Sequence, residues 1–147
     1  MILTPHLLTG AAIASGISNP ILGLSLAFLS HYFLDMLPHW EYSIKNVKSK
    51  NWIGAVPESM RIIADFSIGV LLILVIAERA PFALLGAGFG IVTDLLGFLG
   101  VVFPNKLLGY HDRLHAKTHF LRYAKIPSAI GILSQILVVA MAAYLLS

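Results

Sequence analysis

Residues 60–77, MRIIADFSIGVLLILVIA, and residues 82–103, FALLGAGFGIVTDLLGFLGVVF, are two nearly unbroken apolar runs separated only by ERAP at 78–81. A bilayer core about 30 Å thick asks for about 20 apolar residues per helical crossing. Both runs meet that length, and four residues between them permit little but an antiparallel return. Each run also carries one aspartate, Asp65 and Asp94, where lipid-facing sequence would carry none. The rest of the chain follows the same plan. Its 147 residues are 58% hydrophobic and 12% charged, against roughly 25% charged in soluble domains, and the mean hydropathy is +0.85. These values exclude a water-soluble domain, a disordered chain and a coiled coil.

Working outward, the expected fold is an all-α, polytopic membrane bundle of about five membrane helices plus a short interfacial helix, forming one integral-membrane domain over residues 1–147. The first helix, about 6–17, is short and rich in small residues; Ser18-Asn19-Pro20 ends it and the second runs to about Leu37. A polar segment, 39–59, carries Trp40, Tyr42 and Trp52 beside Lys45, Lys48 and Lys50, the residue types of a membrane interface. A basic, histidine-bearing piece spans 110–125, and a last apolar helix runs from about Ile126 to Leu146. The first run lacks the basic start of a signal peptide and reads as retained. If the N-terminus is on side one, Lys45, Lys48, Lys50, Arg61, Lys106, Arg113, Lys117, Arg122 and Lys125 share that side and Arg79 alone faces the other. By the positive-inside rule side one is expected to be cytoplasmic, with the C-terminus on the opposite side. The net charge of +3 is thus spent on orientation, and no nucleic-acid partner is expected. Gly10, Gly86, Gly88, Gly90, Gly97 and Gly100 suit close helix packing in lipid.

An ionisable side chain within the membrane costs a few kcal/mol and asks for a partner or a role. His31, Asp35 and His39 recur at i, i+4, i+8, and so do His111, His115 and His119, so each set forms one stripe on a helix. Pro38 interrupts the first stripe just before His39. Around Asn19, His6 lies thirteen residues before and His31 twelve after; around Ala80, Asp65 lies fifteen before and Asp94 fourteen after. Equal distances from a turn mean equal depth, so six histidines and three aspartates are expected to share a vestibule open to the cytoplasm. With no cysteine, a metal would need imidazole and carboxylate ligands, which suit Zn, Mn or Fe, and Mg less well. The expected metal ligands are His31, Asp35, Asp65, Asp94, His115 and His119, for one or two ions with zinc first. His6 and His39 are the further ligands or acid–base groups.

Other readings stand beside these. His31 and Asp35 could simply staple two helices, and Asp65 could pair with Arg61 four residues earlier. His6 could cap a helix or face headgroups, and the 111–119 stripe could bind anionic lipid through Arg113, Lys117 and Arg122. Glu41, Glu58 and Asp112 read as solvated.

The runs HLLTGAA (6–12) and LSHYFLDMLPH (29–39) resemble the membrane-bound metal-dependent hydrolase family, the YdjM-like group of inner-membrane hydrolases. That resemblance implies a small polytopic enzyme with metal held at His31 and Asp35 and a second element at His115, Thr118 and His119. The His-x3-Asp core is also locally similar to the metal-binding helix of zinc-dependent phospholipases C. This chain lacks the family's Leu-Pro-Asp-Ile-Asp-His run, and its His115–His119 spacing is one residue shorter than the family's. The expected function is a metal-dependent hydrolase, phosphoesterase- or phospholipase-like, acting on a membrane lipid or lipid-linked phosphoester from the cytoplasmic side. The alternatives are a divalent-cation transporter or channel, and a nonenzymatic membrane partner subunit. Oligomeric state is not legible.

Overall fold

A computed structural model describes residues 1–119 and 127–147. These residues form seven helices and, among the described residues, no strand: α1 (Leu3–Gly16), α2 (Pro20–Asp35), α3 (Lys45–Lys48), α4 (Trp52–Ile76), α5 (Ala80–Val102), α6 (Lys106–Thr118) and α7 (Ser128–Leu146). Arg122, Tyr123, Lys125 and the expected start of the last helix at Ile126 lie outside the described residues.

Among the described residues the all-helical expectation holds, and the expectation of about five membrane helices is met in part. Three helices, α4, α5 and α7, are long and apolar enough to cross a membrane. α1 has 14 residues and α2 has 16, or about 21 and 24 Å at 1.5 Å per residue, short of the hydrocarbon thickness. The apolar outer faces of the long helices, including Leu71, Val75, Leu133, Leu137 and Leu145, are exposed, as suits helices surrounded by lipid.

Asparagines set three of the helix starts. The Asn19 side chain accepts from the Leu22 N–H at 3.1 Å, Asn51 from Gly54 at 3.2 Å and Asn105 from Leu108 at 3.0 Å; each satisfies a donor that has no partner within the helix. The Asn51 cap starts α4 at Trp52, eight residues before the apolar run itself, so part of the segment expected on the surface belongs to α4. α2 ends at Asp35 rather than Leu37, because the residue before Pro38 is driven out of helical geometry. His39 therefore stands on irregular chain beyond the helix.

α1 is the centre of the fold, packing against α2, α4, α5 and α7. Its small residues permit this. A Cβ on Gly10 would meet the Gly86 carbonyl oxygen at 2.5 Å, and one on Gly90 would meet the His6 carbonyl oxygen at 2.5 Å. The α1 and α5 backbones thus approach as closely as the absence of side chains allows. Gly97 and Gly100 instead lie under α6, and Gly88 faces open space. The expected α4–α5 pair is joined by a short turn, yet each of these helices packs more on α1 than on the other.

Candidate metal centre

The N-terminal turn of α1 is pinned first. Its backbone donors lack partners within the helix, and α4 and α7 supply them: Leu3 N donates to Asp65 Oδ2 at 2.5 Å, Thr4 N to Asp65 Oδ1 at 3.3 Å and Ile2 N to Gln135 Oε1 at 3.2 Å. The Thr4 hydroxyl donates to Asp65 Oδ1 at 2.6 Å, and the Tyr42 hydroxyl to Oδ2 at 3.3 Å. Asp65, expected among the metal ligands, is therefore engaged as a cap for α1. Among the described residues it makes neither a metal-type cluster nor the alternative ion pair with Arg61. Gln135, buried on α7, had no signal in a sequence scan for charge.

Pinning α1 sets His6 beside His31, their rings stacked with centroids 4.0 Å apart. His31 and Asp35 lie one turn apart on α2, and α6 brings in His115 and His119. Asp35, almost fully buried, is the hub. Its Oδ2 lies 3.1 Å from His31 Nε2, 2.9 Å from His115 Nε2 and 3.1 Å from His119 Nε2. Its Oδ1 lies 2.7 Å from the Met1 amino group and 3.3 Å from His6 Nε2. Of the six histidines and three aspartates expected to share a vestibule, His6, His31, His115 and His119 meet at Asp35, with Asp94 3.7 Å from His31, while His39 faces Glu41 and Asp65 is engaged by α1.

The tautomer of His31 follows from its surroundings. Nδ1 donates to the Gly90 carbonyl at 2.8 Å, an oxygen that can only accept, so the neutral ring presents an Nε2 lone pair. That lone pair faces Asp35 Oδ2 and, at 3.1 Å, His115 Nε2. Oriented this way, His31 Nε2, His115 Nε2 and Asp35 Oδ2 form a compact set of ligand-type atoms that protons or a metal cation can hold together. The three separations, 2.9 to 3.1 Å, approach the edge of about 3.3 Å that tetrahedral ligands have with bonds of about 2.0 Å. A backbone acceptor on the other ring nitrogen is how metal-bound histidines are commonly oriented. The donor set therefore fits a divalent ion, with His31, Asp35 and His115 as three protein ligands.

Three groupings have ligand atoms within 4.8 Å of one another: His6, His31 and Asp94; His31, Asp35 and His115; and Asp35, His39 and His119. Asp94 Oδ1 is 3.7 Å from His31 Nε2, while its Oδ2 is buried without a hydrogen-bond partner. Neither nitrogen of His6 has an aligned hydrogen bond. His111 lies at the edge, its ring 5.9 Å from that of His115 and its nitrogens unpartnered. Burial and the neighbouring His115 hold its pKa below the ordinary value.

Glu41, read as solvated, belongs to this assembly. Its Oε1 lies 2.8 Å from His39 Nε2 and 3.0 Å from His119 Nδ1. Burial alone would raise its pKa, but the two imidazoles hold it well below the usual carboxylate range. Burial would likewise lower the pKa of His119, and the carboxylates of Asp35 and Glu41 outweigh it, raising it to about 9. A possible signal lay in its position two residues after His39, on a segment assigned to the surface by its aromatic and basic neighbours. Glu58 is also buried, accepting from the backbone of Asn46 and Val47 at 3.2 and 3.1 Å. It caps α3 and has no part in the centre.

A cavity of about 680 Å³ runs from this cluster between α4, α5 and α6. Asp94, His115 and His119 form its polar end; Ile62, Ile63, Phe66, Leu95 and Phe98 are among its apolar walls, with Lys48 and Ser59 also along it. Comparison with family models, curated proteins and solved structures found no match to the chain.

Proposed function

We propose that the protein is a membrane-embedded, metal-dependent hydrolase of a lipid or lipid-linked phosphoester, with its site facing the cytoplasmic leaflet of the inner membrane. The observation that carries this reading is the joining of two features: the His31–Asp35–His115 ligand set and an apolar cavity that reaches it at His115, beside Asp94 and His119. A metal held only to fasten helices needs no such cavity. Three protein ligands are what a catalytic zinc site has, the fourth position being left for water or substrate. The resemblance of the 29–39 run to membrane-bound metal-dependent hydrolases points the same way.

In this mechanism the apolar walls hold the hydrocarbon part of the substrate, and Lys48 attracts the anionic head. His31, Asp35 and His115 would hold a divalent ion, which would supply a water of lowered pKa and positive charge for the phosphoryl oxygen. Gly90 fixes the His31 ring through its carbonyl, and Asp35 balances the charge. His119 lies between the carboxylates of Asp35 and Glu41 at the polar end of the cavity. His6, buried against His31 and near Asp35 Oδ1, keeps water from the inner side of the cluster.

Purified protein, loaded with Zn(II) or Mn(II), tests the reading against phospholipids and polyprenyl phosphates in mixed micelles. Headgroup or phosphate release that chelation abolishes, and that Asp35→Ala lacks together with its bound metal, is the expected result. Absence of a stoichiometric divalent ion from the wild type would sink the proposal. Metal binding without hydrolysis, accompanied by cation flux into liposomes, would replace it with the transporter reading.

A further inference from the structure

The cluster contains more ligand-type groups than one ion uses. With His31, Asp35 and His115 assigned to a first ion, His39, Glu41 and His119 remain together at the other end. His39 repeats the device seen at His31: its Nδ1 faces the Leu37 carbonyl at 2.7 Å, which fixes the hydrogen there and leaves Nε2 directed into the cluster. That Nε2 lies 2.8 Å from Glu41 Oε1, an atom that is itself 3.0 Å from His119 Nδ1. Two histidines on different stretches of chain thus have one nitrogen engaged by a backbone carbonyl and the other aimed toward neighbours of Asp35. The irregular chain after α2 is what allows the second: a helix continued through Pro38 would have consumed the Leu37 carbonyl.

We infer that the centre binds a second divalent cation between His39, His119 and Asp35, with the Glu41 carboxylate beside it. The inference rests on the metal-dependent reading above and extends it from one ion to two. Asp35 is the shared ligand, since its carboxylate enters both groupings, and carboxylate bridges hold ions about 3.5–4 Å apart. The nitrogen and oxygen donors suit Zn(II) or Mn(II). The added charge joins that of the Met1 amino group, 2.7 Å from Asp35 Oδ1 and 3.6 Å from Glu41 Oε1, in compensating the two carboxylates. A paired centre is also the arrangement that steadies both the attacking and the leaving oxygen of a phosphoester.

The test is metal analysis of the full chain in detergent, loaded with Mn(II) and freed of excess, combined with electron paramagnetic resonance. The wild type is expected to hold two ions per chain and to show an exchange-coupled spectrum. Glu41→Gln, which keeps shape, and His39→Ala, are each expected to hold one ion and give an uncoupled signal. One ion in the wild type, unaffected by either substitution and removed by His31→Ala, overturns the second site while leaving the proposed function standing. Two ions that survive both substitutions also overturn it. No bound ion in the wild type defeats both readings. Size-exclusion profiles identify a His39→Ala chain that has not folded, in which case Glu41→Gln decides.

Discussion

Gly90→Ala is the perturbation that best joins the fold to the centre. A methyl group there would stand 2.5 Å from the His6 carbonyl oxygen and 3.3 Å from the Gly10 Cα. Both obstacles are backbone, so no rotamer change relieves them. Ordinary contact begins near 3.4 Å, which means α1 and α5 must separate by several tenths of an ångström to about 1 Å along their closest approach. Overpacking of this kind costs about 1–3 kcal/mol. The same residue's carbonyl accepts from His31 Nδ1 at 2.8 Å, and N–H···O bonds weaken beyond about 3.2 Å. Losing an outer partner of a ligating histidine typically lowers metal affinity by about 10–100-fold. The control is Gly88→Ala, two residues away and on the opposite face of α5, where a Cβ meets nothing within 4 Å and the helix gains about 0.5–1 kcal/mol from the alanine. Thermal unfolding in detergent, followed by the fluorescence of Trp40 and Trp52, gives the stability term; competition with a chromophoric chelator gives the affinity. If Gly90→Ala matched Gly88→Ala in both measurements, the close approach of α1 and α5 and the orienting role of the Gly90 carbonyl would both be refuted.

Two further outcomes are expected. Asp65→Ala removes the acceptor for two backbone donors and the Thr4 hydroxyl, and should cost about 1–3 kcal/mol without changing the number of ions bound; loss of metal in a protein that remains folded would restore Asp65 to the ligand set. The pH dependence turns on His119, whose pKa is raised to about 9 in the metal-free fold from an ordinary value near 6.5. A raised pKa means that its stabilising contribution is complete below about pH 6.5 and is lost as pH climbs through about 9. Denaturation of chelated protein should show that loss, and His119→Gln should flatten it. At the second site inferred above, where His119 is a ligand, metal binding competes with the same proton, so affinity there should increase toward pH 9; a pH-independent affinity for the second ion across pH 6.5–9 would contradict the placement of His119.

The sequence made the composition of the centre easier to read than its wiring. The i, i+4 stripes identified His31, Asp35, His115 and His119 because helical periodicity is a local property, and the structure brings those four together. Asp65 misled for a physical reason. A carboxylate in an apolar helix meets its desolvation cost equally well by binding a cation or by accepting from the open donors of another helix, and nothing near Asp65 in sequence reveals that Leu3 and Thr4 will be there. Turn arithmetic treated α4 and α5 as a pair and had no means of knowing that α1 would pack against both. Glu41 was hidden by its neighbours: an interface composition describes the average position of a segment, while a single side chain can turn inward. Among the five expected membrane helices α1 and α2 are the short ones; α1 is apolar because other helices bury it, whereas α2 leaves Ile21, Leu22, Leu29 and Phe33 exposed.

The engagement of α1 by both Asp65 and Gln135 has a consequence for biogenesis. Residues 2–4 are translated before one of the groups that receives them, on α7, which is made more than a hundred residues later. Until then the opening helix has an unmet donor and an incomplete enclosure, although every histidine has already been translated. Assembly must therefore finish after translocation, by the early segment settling among partners that were inserted behind it. Truncation before α7 would leave all the imidazoles in the chain and deprive them of their scaffold.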